Sequence, residues 1–143
     1  MAFSVEHVGI LVPEPLATAA WYQRVLGFEV LHSAEEAENT VAFVCDAGRR
    51  VVLELGRVGD IEPLAARTSH HLQLHVALAS DDPERDAAYL VEHGARFIER
   101  CPVTRAGDLL VVVEDPWGIC IQLAKRAEGR SLLPPGPPEA SSG

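Results

Sequence analysis

His71-Leu72-Gln73-Leu74-His75-Val76 echoes His7-Val8-Gly9-Ile10-Leu11-Val12: a histidine, then apolar residues at every second position. An internal repeat dictates architecture, so the rest of the chain is read outward from this one. His7 and His71 lie 64 residues apart, Gly27 and Gly94 67, and Glu54 and Gln122 68. Such slow drift is what short loop insertions between matched elements produce. The chain reads as two equivalent halves.

In the first half, residues 4–12 alternate and predict a strand. Pro13 and Pro15 end it, and Pro15 opens a helix over 16–26. Its expected inward stripe is Leu16, Ala19, Ala20, Gln23 and Leu26, with Gly27 as the left-handed stop. A strand over 28–32, an acidic solvated loop over 33–39 and a hairpin of 40–45 with 50–55 complete the unit. The second half repeats the order. A strand over 71–79 leads to a helix opened by Pro83, capped by Asp81 or Asp82, and stopped at Gly94. Strands over 95–101, 108–114 and 119–125 follow, the last two joined by the turn Asp115-Pro116-Trp117-Gly118.

The fold class is therefore α+β, with two βαβββ modules in tandem forming a cupped mixed sheet around a central cleft. One domain is expected over 1–126: module one 4–56, linker 57–70, module two 71–126. Residues 127–143 contain Pro134-Pro135-Gly136-Pro137-Pro138 and read as a disordered or loosely attached tail.

Composition narrows the function. A net charge of −9 argues against sequence-independent binding to nucleic acid or anionic membranes, which needs clustered Lys and Arg. No apolar run approaches the roughly 20 residues that span a bilayer. The first residues lack the basic start and long apolar stretch of a signal peptide. Cys45, Cys101 and Cys120 form no CxxC pair, so reduced core thiols in a cytoplasmic protein are expected.

Strand parity points to a site. Val8, Ile10 and Val12, with Leu72, Leu74 and Val76, form apolar faces suited to packing under a helix, as do Val51, Leu53 and Leu55 and Ile119, Ile121 and Leu123. Successive strand residues face opposite ways, so His7, Glu54, His71 and Gln122 all leave the helix-packed side. Two imidazoles, one carboxylate and one amide oxygen suit a divalent first-row metal: Mn, Fe, Co, Ni or Zn. The blander alternative is four ordinary polar residues on an exposed strand face.

With these residues in view, the sequence resembles the vicinal oxygen chelate superfamily, which includes glyoxalase I, methylmalonyl-CoA epimerase, fosfomycin-resistance enzymes, extradiol dioxygenases and bleomycin-binding proteins. The resemblance rests on His7-Val8-Gly9-Ile10, Trp21-Tyr22 through Leu26-Gly27-Phe28, His71-Leu72-Gln73-Leu74, and Asp115-Pro116-Trp117-Gly118 through Gln122-Leu123. It spans about residues 4 to 125 and is weak for any one activity. It implies metal ligands on the first and fourth strands of each module, where His7, Glu54, His71 and Gln122 fall. One departure stands out. Glyoxalase-like and epimerase-like members carry a glutamate in the last strand as ligand and often as base. This chain has Gln122 there, which cannot usefully accept a proton, and the glutamate at Glu54.

The expected function is a divalent-metal-dependent isomerase or lyase, acting on a small vicinal-oxygen substrate by enolate-stabilised proton transfer. Glu54 is the first candidate for the base and His75, which shares parity with His71, the alternative. Fe(II)-dependent dioxygenation and metal-free drug or metabolite binding are the rivals. A homodimer is expected, with the cup formed within one chain or between swapped modules. Gln73 is a candidate substrate contact. Trp117 reads as turn packing, and Cys120 as an inert thiol near Gln122.

Overall fold

The computed structural model describes residues 1–64, 70–101, 107–128 and 132–133. Among the described residues, each half is a four-stranded mixed sheet packed with one long helix. Module one runs β1 (Val8–Leu11), α1 (Pro15–Leu26), β2 (Glu29–Glu36), β3 (Asn39–Cys45) and β4 (Val52–Val58), in the order β1-β4-β3-β2. Module two runs β5 (Val76–Ala79), α2 (Pro83–Glu92), β6 (Arg96–Arg100), β7 (Leu109–Glu114) and β8 (Cys120–Lys125), in the order β5-β8-β7-β6. The first and fourth strands pair in parallel and the rest antiparallel. The tandem βαβββ architecture is that expected from the repeat. Most of the expected tail lies outside the described residues. Among the described residues no helix is long and apolar enough to cross a membrane.

Local chemistry fixes the helices. Gly27 at φ 72° ends α1 in the left-handed region, and Asp82 caps α2 by accepting from the Arg85 amide at 3.1 Å, with Pro83 in the first turn. Three boundaries differ from expectation. The acidic stretch is no loop: β2 continues to Glu36 and turns on two residues into β3, with Glu35 opposite Thr40 and Glu36 opposite Asn39. As the edge of its sheet, this strand can keep its carboxylates in water. The buried face of α1 is Pro15, Thr18, Ala19, Trp21, Tyr22 and Val25, while Leu16, Ala20 and Gln23 are exposed. The helix is rolled so that its two aromatic residues, the largest apolar groups available, are covered.

The third difference concerns the repeat itself. Residues 70–75 are turns, and β5 begins only at Val76. The His70 carbonyl accepts from the Gln73 amide at 3.0 Å, the Gln73 side chain accepts from the His70 amide, and His70 Nδ1 accepts from the Leu72 amide. These local bonds use the polar groups that a strand ladder would need. Leu72 and Leu74, expected under a helix, are exposed instead.

The helix-facing sides of both sheets enter one apolar core, in which Ile10, Val12, Leu53 and Leu55 join Ile119, Ile121 and Leu123. Four polar contacts sew the modules together on that side. Trp21 Nε1 donates to the His93 carbonyl (2.7 Å) and Tyr22 Oη to Asp115 (2.9 Å). Tyr89 Oη donates to the Val25 carbonyl (3.1 Å) and Trp117 Nε1 to Glu14 (2.8 Å). The seam thus runs between α1 and the α2 end and β7–β8 turn, leaving β1 and β5 as sheet edges.

Candidate functional site

Strand register decides which polar residues correspond. In module one Gly9 pairs with Glu54; in module two Ala77 pairs with Gln122. Gly9 to Ala77 and Glu54 to Gln122 are both steps of 68 residues. The same step carries His7 to His75, and His71 stands four residues ahead of it, in the turn. The expectation that His71 matches His7 is therefore corrected: the register position belongs to His75.

In module one the two donors approach each other. His7 Nε2 lies 3.7 Å from Glu54 Oε2, both side chains about one-third exposed. The His7 ring stands edge-on to Phe43, 5.6 Å between centroids, and Phe43 sits opposite Glu54 on β3. Gly9 leaves the space beside the carboxylate open: a Cβ there would meet Glu54 Oε1 at 3.5 Å. In module two Gln122 is buried at 7% exposure, beside Ala77, and His75 is exposed at the mouth of β5. Among the described residues, no three His, Cys, Asp or Glu side chains gather around one point within the chain. Glu54 and Gln122 lie on the sheet faces turned away from the helix seam, with His7 beside Glu54.

His71 has a different setting. Its Nε2 is 2.8 Å from Glu99 Oε1, and its ring stacks on His70 with 4.3 Å between centroids. Glu99 is opposite Val112, which is opposite Gln122, so the glutamate lies in the row that Gln122 and Ala77 begin. A cavity of about 280 Å³ opens at this end of module two and reaches the inter-module core, lined by His71, His75, Arg96, Glu114 and Cys120 together with Ile10 and Ile119. Arg96 is tied to Glu114 at 2.6 Å. Burial and the Glu114 charge push the Cys120 thiol up to about 11, so it stays protonated and is a poor ligand near neutrality. Trp117 packs its turn against α1 through Glu14, and Gln73 serves the 70–75 turn.

The family model of the Glyoxalase/Bleomycin resistance protein/Dioxygenase superfamily matches residues 4–123. The chain belongs to that superfamily. Solved structures repeat its fold across both modules. A glyoxalase family protein from Bacillus cereus is 18% identical, with TM-score 0.68 over 87% of this chain and 94% of that one. One from Enterococcus faecalis is 25% identical, with TM-score 0.66 over 85% and 97%. The fosfomycin resistance protein FosX from Listeria monocytogenes, solved with Mn(II) and sulfate, is 15% identical, with TM-score 0.64 over 86% and 90%. No curated protein matches the sequence. The superfamily's description spans glyoxalases, bleomycin resistance proteins and dioxygenases, so membership leaves substrate and reaction open.

Proposed function

We propose that this superfamily member is a divalent-metal enzyme that transfers a proton on a small substrate bearing two neighbouring oxygens, as an isomerase or lyase. The observation that carries the reading is the pair of half-sites in matched register: His7 beside Glu54 and two residues ahead of Gly9, and His75 two residues ahead of Ala77, the partner of Gln122. Imidazole nitrogen, carboxylate oxygen and amide oxygen fit Mn, Fe, Co, Ni or Zn better than Ca or Mg. His7, Glu54, His75 and Gln122 would hold the ion, which supplies Lewis-acid polarisation of a substrate oxygen when bound. Glu54 is the only carboxylate of the four and the group on module one's side able to accept a proton; Gln122 holds and orients without titrating.

The two halves meet, in this reading, between two copies of the chain. The seam within one chain is on the helix side, β1 and β5 are free edges, and the donor-bearing faces lie away from that seam. A twofold pair would set His7 and Glu54 of one chain against His75 and Gln122 of the partner subunit, giving two sites per dimer. Protein purified without a metal-affinity tag and reconstituted with each of the five ions is expected to retain about one ion per chain. Uptake below about a tenth of an ion by every metal would sink the enzyme reading and leave a metal-free binding protein.

A further inference from the structure

Module two lacks a carboxylate where module one has Glu54, yet it carries an imidazole–carboxylate pair a few residues away. We propose that His71, oriented by Glu99, is the proton-transfer group on module two's side of the site, acting on the substrate face opposite Glu54 rather than binding the metal. This inference rests on the reading of the site given above.

Three observations carry it. First, His71 is outside β5 and four residues from the register position of His7, so it is the histidine freed from the matched set. Second, it is held: Nε2 is 2.8 Å from Glu99 Oε1, one ring face stacks on His70, and its side chain is 17% exposed. A carboxylate on one imidazole nitrogen fixes the ring and its tautomer, so the other nitrogen is oriented to exchange a proton. Third, it lines a cavity together with His75, with Ile10 of module one at its border. The cavity, at about 280 Å³, has room for only a small molecule.

The two sheets place their charged groups in complementary ways. Across module one the row Gly9, Glu54, Phe43, His32 has its carboxylate on β4; across module two the row Ala77, Gln122, Val112, Glu99 has it on β6. Glu99 cannot take Glu54's place, but it can hold His71 over the same face. The step then balances simply. The free ring nitrogen of His71 takes the proton from the substrate carbon, and the C–H electron pair moves into the adjacent carbonyl, whose oxygen becomes the enolate oxygen. A proton returned by Glu54 to the other face inverts the centre; one returned by His71 restores it. Glu99 is a positioning residue.

Two measurements on the full chain test this. Calorimetric titration with MnCl2 is expected to give H71A an affinity within about twofold of wild type, and H75A one at least about tenfold weaker. Loss of Mn2+ affinity in H71A equal to that in H75A overturns the inference by making His71 a ligand. Hydroxyacetone and acetoin in D2O then serve as probes of α-proton exchange, followed by proton NMR with Mn2+ bound. H71Q is expected to exchange about a hundredfold more slowly than wild type. E99Q, having lost the carboxylate that orients the ring, is expected to slow exchange while leaving Mn2+ affinity unchanged. Wild-type exchange rates in H71Q, or no exchange by Mn2+-loaded wild type, overturn the inference. A wild type that binds no Mn2+ overturns the metal site beneath it, which separates the two failures.

Discussion

Asp115 shows how much a single carboxylate organises. Its Oδ1 accepts from the Trp117 and Ile119 amides, both at 2.9 Å, and its Oδ2 accepts from Tyr22 Oη of the other module. It therefore closes the β7–β8 turn that starts the Gln122 strand and ties that turn to α1. Burial outweighs these bonds and raises its carboxyl above the ordinary 3.8, so the folded state favours the protonated form. The sign follows from linkage: this contribution to stability is fully present below pH 3.8 and is lost as pH rises through the raised folded value. Asp115→Asn removes the titration. In urea unfolding between about pH 4.5 and 7, the stability of wild type relative to the variant should fall as pH rises; a gap that widens with pH would contradict it.

At the scale of elements, α1 offers a clean measurement. Gly27 stands at φ 72° with nothing within 4 Å of an added Cβ, so Gly27→Ala meets strain alone. The expected loss is about 1 kcal/mol by chemical denaturation; no change would mean the helix end rearranges freely. This stop was legible in the sequence because a glycine after an apolar helical stripe has one common use. So were the βαβββ order, the Asp46 hairpin and the Asp115 turn, each fixed by residues within a few positions. What misled was the alternation through His71, Leu72, Gln73 and Leu74, which has strand period but turn chemistry, since His70 and Gln73 bond each other's backbone. The signal that would have found the true register was present. His75-Val76-Ala77-Leu78 matches His7-Val8-Gly9-Ile10 residue by residue, at the 68-residue step already known from Glu54 and Gln122. The pairing of Glu99 with His71 had no such signal, because the two lie 28 residues apart and meet only through folding. The roll of α1 also depended on the other module, which supplies the acceptors for Trp21 and Tyr22.

For the whole molecule the question is where the two pairs of donors meet. Mixing chains distinguishes the possibilities. A variant lacking His7 and Glu54, combined with one lacking His75 and Gln122, has no complete site in either chain alone. If sites form between chains, each mixed dimer regains one: the first variant's module two against the second's module one. Random reassortment should then restore about a quarter of the wild-type metal content. Uptake that stays at the level of the separate variants would place the site within one chain.

The parallel pairing of first with fourth strands has a kinetic side as well. Within each module β2, β3 and β4, or β6, β7 and β8, are neighbours both in sequence and in the sheet and can zip locally. The first strand cannot, because Gly9 waits for Glu54 and Ala77 for Gln122, each 45 residues downstream. Such closures carry the larger entropic cost and come late. The chain thus assembles its scaffold from near neighbours and leaves the proposed donors to the last contacts made, so a bound ion would act chiefly as a brake on unfolding rather than as a seed for folding.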